Sequence, residues 1–142
     1  TLNVGQRDGV QVDNAVVVKD GVLVAKITEV YARTSRALLL SDSNIAVAST
    51  VIGGAPTSKI VRGERGLSLI LDQVPQQERV EKGQMIMTSG LESAIPRGLI
   101  IGEVEEIISQ KNDLFQTAVL RPIVDYNSLT IVAVILTPAS DL

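Results

Sequence analysis

Short β-branched runs, separated by residues that favor tight turns, limit this chain's fold more than any other feature. The strongest case is Val16-Val17-Val18-Lys19-Asp20-Gly21-Val22-Leu23-Val24, in which two apolar runs flank an Asp-Gly pair. An Asp-Gly pair supplies the positive φ angles that a tight hairpin turn requires. The sequence therefore predicts a hairpin with strands near residues 14–19 and 22–30.

The rest of the chain repeats this pattern. Turn residues such as Gly90, Pro96 and Lys111-Asn112-Asp113 separate further apolar runs, and Pro138 follows the last of them. The runs predict strands near residues 37–40, 45–52, 59–61, 67–71, 85–87, 99–108, 115–120 and 129–136. With about ten short strands and no long amphipathic segment, the predicted fold class is all-β without large helices. Closure into small barrels would remove the open sheet edges.

Three local predictions concern the middle of the chain. Residues 53–58 form a cluster of Gly, Pro and small polar residues, which predicts a loop at an internal domain boundary. Residues 63–66 predict a hairpin turn, after which Leu67, Leu69 and Leu71 point to one side. Residues 103–109 also fit the spacing of a short helix, although their β-branched content favors a strand.

Composition excludes several functions. Hydrophobic residues make up 45% of the chain, enough for a folded core. The 13 basic and 16 acidic residues are scattered and give a net charge of −3, which disfavors nucleic acid as a partner. The chain contains neither cysteine nor histidine, so Cys-ligated metals and Ser-His-Asp or Cys-His catalysis are ruled out. No cofactor or metal is predicted, and no apolar run is long enough to span a bilayer.

Thr88-Ser89-Gly90 is the segment that most resembles a reactive motif. Without histidine, the Ser89 hydroxyl lacks its usual base, and Lys82 is the nearest cationic substitute. The alternative is a turn in which Gly90 adopts a positive φ and the hydroxyls bond the local backbone. The sequence favors the turn.

Two other segments also favor a structural interpretation. Glu103 and Glu105 would share one face of a strand while Glu106 opposes them, which predicts a solvated surface rather than a carboxylate cage. Gly98 and Gly102 have no phosphate-loop spacing and are expected to permit turns and close strand packing.

The segment from Val80 carries a family resemblance. It reads Val80-Glu81-Lys82-Gly83-Gln84-Met85-Ile86-Met87-Thr88-Ser89-Gly90-Leu91, followed by Pro96, Gly98-Leu99, Gly102 and Val104. This order resembles the MreC family of bacterial rod-shape proteins, and Val4-Gly5 through Val10, Leu38 through Asp42, Asp113 through Gln116, Pro122, Asp125 and Leu129 extend the match. Gln84, Ala25 and Ser93-Ala94-Ile95 depart from the family pattern, which leaves the fine specificity for partners open.

The resemblance implies two small β-barrels, the second inserted in the first. The first would comprise residues 1–48 and 112–142, and the second residues 49–111. The motif residues would have a structural role in turns: Gly83, Thr88, Ser89, Gly90, Pro96, Gly98 and Gly102. Ile52, Ile60, Ile95 and Ile100 could form an apolar interaction surface or belong to the core.

The resemblance also implies a function, namely a non-catalytic scaffold of the cell-elongation machinery that directs peptidoglycan synthesis and maintains rod shape. Such a protein would self-associate as a dimer or filament, bind MreD and a class B penicillin-binding transpeptidase, and connect through the membrane complex to MreB. This part would be extracytoplasmic, with an inner-membrane anchor upstream of Thr1. The alternatives are a degenerate chymotrypsin-like hydrolase using Ser89 and Lys82, and a periplasmic adaptor module of a transport complex.

Overall fold

Ten strands form almost all of the regular structure in the computed structural model, which describes residues 1–109 and 114–137. They are β1 (Ala15–Val18), β2 (Val22–Val30), β3 (Ser35–Leu39), β4 (Ala46–Val51), β5 (Lys59–Glu64), β6 (Ser68–Pro75), β7 (Met85–Thr88), β8 (Ile100–Ile108), β9 (Phe115–Pro122) and β10 (Ala133–Ile135). The helical residues in the described part are three short 3₁₀ turns, Gln6–Asp8, Lys19–Gly21 and Tyr126–Ser128. The all-β prediction is confirmed. The predicted turn residues at 111–113, Asp113 of the family match and Pro138 lie outside the described residues.

Six of the strands close into a ring. Their order is β8-β7-β4-β5-β6-β9, and β9 then pairs with β8 to complete the circle. Every neighboring pair in this ring is antiparallel. The ring is therefore a closed barrel, in which every strand has a partner on both sides along at least part of its length.

The other four strands form a sheet in the order β10-β1-β2-β3. Ala15 of β1 lies opposite Ile135 of β10, so this sheet is built from both ends of the chain. One parallel pair, Val22 with Ile100, joins its strand β2 to β8 of the ring. Strand β9 pairs within the ring, whereas the predicted boundary at residue 112 assigns it to the first barrel. The exact residue bounds of two barrels remain a prediction.

The Asp-Gly hairpin forms as the sequence predicts. Asp20 has a φ of 69° and Gly21 a φ of 76°, and both lie in the left-handed region that this turn needs. Val18 pairs directly with Val22, so the loop between the strands has three residues, Lys19 to Gly21. Because β1 pairs with β10 and β2 pairs with β8 of the ring, this hairpin positions the whole four-stranded sheet.

Residues 100–108 are a strand, as the β-branched content favors. A bulge between Val104 and Glu106 interrupts its pairing with β9. Because a bulge adds one residue to one strand, Glu105 and Glu106 are both exposed and strict alternation is lost. The bulge explains why this segment also fits helical spacing.

The predicted turn at residues 63–66 is wrong at its first two positions, Gly63 and Glu64, which belong to β5. Gly63 lies inside β5, paired with Leu69 of β6. A Cβ atom at Gly63 would lie 2.2 Å from the carbonyl oxygen of Asp42 and 2.4 Å from that of Leu40. Glycine is needed there because the chain before β4 crosses directly over β5.

The predicted direction of Leu67 is also wrong. The turn includes Arg65 and Gly66, which have φ angles of 54° and 71°, and Leu67 follows them before β6 begins. Leu69 and Leu71 are fully buried, whereas 84% of Leu67 is exposed. Leu67 therefore contributes to the surface rather than to the core.

One apolar core runs through the ring and continues beneath the four-stranded sheet. Ring residues such as Leu69, Ile86 and Leu120 pack in the same cluster as Leu23 and Leu40, which come from outside the ring. A second cluster, which includes Val16, Val24 and Ile27, fills the other side of the sheet. Residues 53–58 are a loop that connects β4 to β5, and these two strands pair with each other.

Candidate interaction surface and the Thr88-Ser89-Gly90 turn

Thr88 closes the loop that connects β7 to β8. Its side chain is fully buried, and its hydroxyl donates a hydrogen bond to the Pro96 carbonyl at 2.6 Å. The same oxygen accepts from the Leu99 backbone N–H at 2.9 Å. The backbone of Thr88 also bonds Leu99 and Gly98. Both hydrogen bonds of this hydroxyl therefore hold local backbone, so Thr88 has a structural role in the loop.

Two glycines of the motif have specific steric reasons. Gly90 has a φ of 82°, and a Cβ atom there would approach the Arg97 Cβ to 2.8 Å. At Gly102 a Cβ atom would lie 2.8 Å from the Arg121 carbonyl oxygen on β9. Gly83 and Gly98 also have positive φ angles, of 93° and 96°.

Ser89 is half-buried beside the loop at residues 53–58. Its hydroxyl lies 3.2 Å from the Ser58 hydroxyl and accepts from the Leu91 N–H at 3.3 Å. Its backbone N–H donates to the Ala48 carbonyl at 3.1 Å. Among the described residues, no hydrogen bond links Ser89 to Lys82, which is exposed. A nucleophile needs a base within hydrogen-bond reach, so this geometry offers no support for the hydrolase alternative.

A buried ion pair ties two loops together at one end of the ring. The Lys59 ammonium is 1% exposed and lies 2.8 Å from the Glu78 carboxylate, whose side chain is 12% exposed. Lys59 also donates to the Thr57 hydroxyl at 2.8 Å, and Gln116 donates to the Glu78 carbonyl at 2.6 Å. These bonds attach the loop at residues 53–58 to the turn that follows β6.

Burial alone would raise the pKa of the Glu78 carboxyl, but the hydrogen bonds and charge of Lys59 and the hydrogen bond of Thr57 outweigh it and lower that pKa. Sequence analysis missed this pair. A signal was present, because Lys59 is two residues before Val61 and a strand places both on the same face, here the core face.

The four predicted surface isoleucines lie in different places. Ile95 is 2% exposed and belongs to the core, so it is unavailable to a partner. Ile52 is 41% exposed in the loop after β4. Ile60 and Ile100 are half-buried, and Ile100 packs against the sheet cluster. The side chain of Ile95 therefore serves stability, and the other three are separated.

A different set of exposed apolar residues lies where the ring meets the sheet. Leu39 and Leu67 line one groove of about 380 Å³ together with Ile123. Ile123 also lines a neighboring cleft of about 660 Å³ with Ile131. Their exposed fractions are 36% for Leu39, 84% for Leu67, 41% for Ile123 and 85% for Ile131. These four residues are called the junction surface below.

Sequence analysis missed the junction surface for a physical reason. Leu39, Leu67 and Ile131 fall in or beside runs that predict strands, where an apolar residue is normally expected to be buried. The available signal for Leu67 was the glycine directly before it, because Gly66 adopts a positive φ and the turn extends through Leu67.

Residues 1–109 and 114–137 lack two kinds of feature. No cluster of three or more potential metal-binding side chains (His, Cys, Asp, Glu) is present there. That same part of the chain has no helix with the length and apolar character needed to cross a membrane.

The closed ring, the attached four-stranded sheet and the structural turn at Thr88 define an all-β barrel module. A family model described as rod shape-determining protein MreC, barrel core, matches residues 1–136. The chain belongs to this family, and the resemblance drawn from its motifs is confirmed.

Individual relatives agree. The cell shape-determining protein MreC of Listeria monocytogenes is 33% identical over 138 residues, which cover 94% of this chain and 46% of that protein. A solved structure of Listeria MreC is similar with a TM-score of 0.74 and 33% identity, covering 87% of this chain and 60% of that one. The chain thus spans about half the length of the curated relative it matches.

A more distant solved structure is a complex between a penicillin-binding protein (PBP2) and MreC from Helicobacter pylori. It has a TM-score of 0.63 and 18% identity, and covers 75% of this chain and 65% of that one. At this identity the similarity establishes the shared fold.

Proposed function

We propose that this chain is the binding core of a cell-shape scaffold and that its junction surface binds a class B penicillin-binding transpeptidase. The observation that carries the proposal is the family match across residues 1–136, since the relatives are cell shape-determining proteins. The complex formed by the Helicobacter relative supports the choice of partner.

The junction surface supplies the physical means. Leu67 and Ile131 are each more than four-fifths exposed, and full burial of such a side chain contributes roughly 1.5–3 kcal/mol. Partner interfaces concentrate their binding energy in a few apolar anchors that enter pockets. Two exposed anchors beside two grooves fit this pattern, and binding of this kind requires no chemical step.

The wider role follows from the family. We infer that the intact protein self-associates, contacts MreD and connects to MreB through the membrane complex. It would thereby direct peptidoglycan synthesis and maintain rod shape. In this proposal the chain is the extracytoplasmic part of a protein anchored in the inner membrane by a segment upstream of Thr1.

The test measures the affinity of this chain for the purified extracytoplasmic region of the transpeptidase by biolayer interferometry. Leu67→Ser and Ile131→Ser should each weaken binding about tenfold, the equivalent of one lost apolar anchor. Leu114→Ser is the matched control, because Leu114 is 81% exposed and lies outside the junction surface. Equal affinities for all four proteins, or no binding by the unsubstituted chain, would refute the proposal.

A further inference from the structure

Within residues 1–109 and 114–137, strand β4 has no neighboring strand along part of one edge. It pairs with β5 through Ala46 to Ser49, but its partner on the other side, β7, pairs only with Ser49 to Val51. The backbone groups of Ala46 and Ala48 on that side would therefore have no strand to bond. Backbone polar groups away from water require partners, so this edge must be satisfied in another way.

Two charged side chains take the place of the missing strand. Glu92 accepts the Ala48 N–H at 2.7 Å through one carboxylate oxygen. Its other oxygen lies 3.0 Å from the Lys26 ammonium, which also donates to the Ala46 carbonyl at 3.1 Å. The Ala48 carbonyl accepts from the Ser89 N–H. The Ala46 carbonyl and both backbone groups of Ala48 are thus bonded.

These contacts connect separate parts of the fold. Lys26 lies on β2 of the four-stranded sheet, and Glu92 lies in the loop after β7. The side chain of Lys26 is 12% exposed and that of Glu92 is 30% exposed, so water screens the pair only partly. Glu92 and Lys26 therefore join the sheet, the edge of β4 and the motif loop at one point.

The position of this contact on β2 matters. The only ladder pair between sheet and ring among the described strands is Val22 with Ile100. Lys26 is four residues further along the same strand, roughly 13 Å away at the rise of a β-strand. The chain after β3 is attached to the ring separately, where the Gly66 N–H donates to the Ser41 carbonyl at 2.9 Å and the chain crosses over Gly63. Lys26 gives β2 itself a second attachment to the ring.

We propose that Lys26 and Glu92 form a clamp that fastens β2, at Lys26, to the edge of β4. The clamp also closes the edge of β4. When it opens, β2 near Lys26 can move away from β4, and the N–H of Ala48 becomes free to exchange with water or to bond an added strand. Lys26 and Glu92 are therefore positioning residues for β2 on one side and for the edge of β4 on the other.

Three substitutions separate the parts of the clamp. Lys26→Met keeps the apolar stem but removes the ammonium. Glu92→Ala removes both carboxylate contacts. Glu92→Gln retains an acceptor for the Ala48 N–H while removing the charge that holds Lys26.

The first measurement is amide hydrogen exchange. In Glu92→Ala the Ala48 amide should exchange about tenfold faster, as expected for the loss of one hydrogen bond of ordinary strength. In Glu92→Gln its exchange rate should stay close to that of the unsubstituted chain. The amide of Val61, inside the ring, is the internal control in every variant.

The second measurement is the distance between spin labels on the two parts. Arg33→Cys in the sheet and Gln77→Cys in the ring are both exposed sites, and the chain has no other cysteine. Lys26→Met and Glu92→Gln should each broaden or shift the distance distribution. Unchanged distances in both variants together with unchanged Ala48 exchange in Glu92→Ala would overturn the clamp. If Glu92→Ala does not fold, the distances in Lys26→Met and Glu92→Gln decide the question.

Discussion

Replacing Thr88 with valine tests whether the Thr88-Ser89-Gly90 turn is structural. Valine has nearly the same shape as threonine and suits a strand, so the substitution removes the hydroxyl and little else. The hydroxyl makes two hydrogen bonds, to the Pro96 carbonyl at 2.6 Å and from the Leu99 N–H at 2.9 Å. Both would be lost in a side chain that is fully buried.

The loss of stability depends on the unpaired backbone group that each lost hydrogen bond leaves in the loop. An unpaired buried polar group costs about 1–3 kcal/mol. Pro96 is an exposed residue, so water can replace part of its bond, whereas the Leu99 N–H packs inside the loop. We therefore expect Thr88→Val to lower the free energy of unfolding by about 2–4 kcal/mol. Thr88→Ser is the control, because it keeps the hydroxyl and loses one methyl group, worth about 1 kcal/mol.

Urea unfolding followed by circular dichroism measures the difference between the two variants. With a slope of about 2 kcal/mol per molar urea, typical for this size, the midpoint of Thr88→Val should fall about 1–2 M below that of the unsubstituted chain. Thr88→Ser should lose about 0.5 M. If the two variants unfold at the same urea concentration, the hydroxyl does not hold the loop and the reasoning is wrong.

Three further predictions concern stability and chemistry. Glu78→Gln should lower the free energy of unfolding at pH 7 by about 2 kcal/mol in urea titrations. The pKa of Glu78 is lower in the folded state than in the unfolded state. The carboxylate therefore stabilizes the fold fully above the unfolded pKa of about 4.3, and this stabilization is lost as the pH falls through the folded-state pKa. This part of the acid sensitivity should be absent in Glu78→Gln. Gly63→Ala should lower the free energy of unfolding by more than about 3 kcal/mol, because two backbone oxygens occupy the position of the added Cβ atom. Gly53→Ala has open space around it and should lower that free energy by about 1 kcal/mol, because Gly53 has a positive φ. Similar melting temperatures for the two variants would contradict the close crossing. Ser89→Ala should change stability by less than about 1 kcal/mol, and a fluorophosphonate probe should label neither protein; labeling that disappears in the variant would restore the hydrolase alternative.

The sequence predicts this fold well at positions where the residue types allow only one backbone conformation. Asp20-Gly21 requires a tight turn wherever it occurs between β-branched runs, and the hairpin forms there. The bulge in β8 is harder to foresee, because it depends on the strand beside it rather than on local preference. Gly63 is a similar case: a glycine next to a turn looks like part of the turn, and only the chain crossing above it requires glycine inside the strand.

Side-chain partners from distant segments were the least predictable part of the candidate site. Lys59 and Glu78 are 19 positions apart, and Lys26 and Glu92 are 66 apart, so pairing depends on a topology that one sequence does not specify. The exposure of Leu67 depends on a turn that lies at residues 65–67 rather than at residues 63–66. Local hydrogen bonding at Thr88, by contrast, could be proposed from the turn residues alone.

The junction surface also follows from this topology. Ile123 and Ile131 lie between β9 and β10, where the chain leaves the ring to rejoin the sheet. Leu39 and Leu67 reach the same region from the end of β3 and from the turn between β5 and β6. Three separate segments thus bring four apolar side chains to one place without burying them, as expected of a surface that a partner covers.

The most direct test of the proposed function is a fluorescence titration of the junction surface. A fluorophore on Asn127→Cys, which lines the groove with Leu39 and Leu67, should change its emission when the extracytoplasmic region of a class B penicillin-binding transpeptidase is added, whereas one on Ser109→Cys should not. Leu67→Ser should shift that titration to about tenfold higher transpeptidase concentration. A saturating response at Ser109 with none at Asn127, or a titration unaffected by Leu67→Ser, would show that the partner binds elsewhere and would contradict the account.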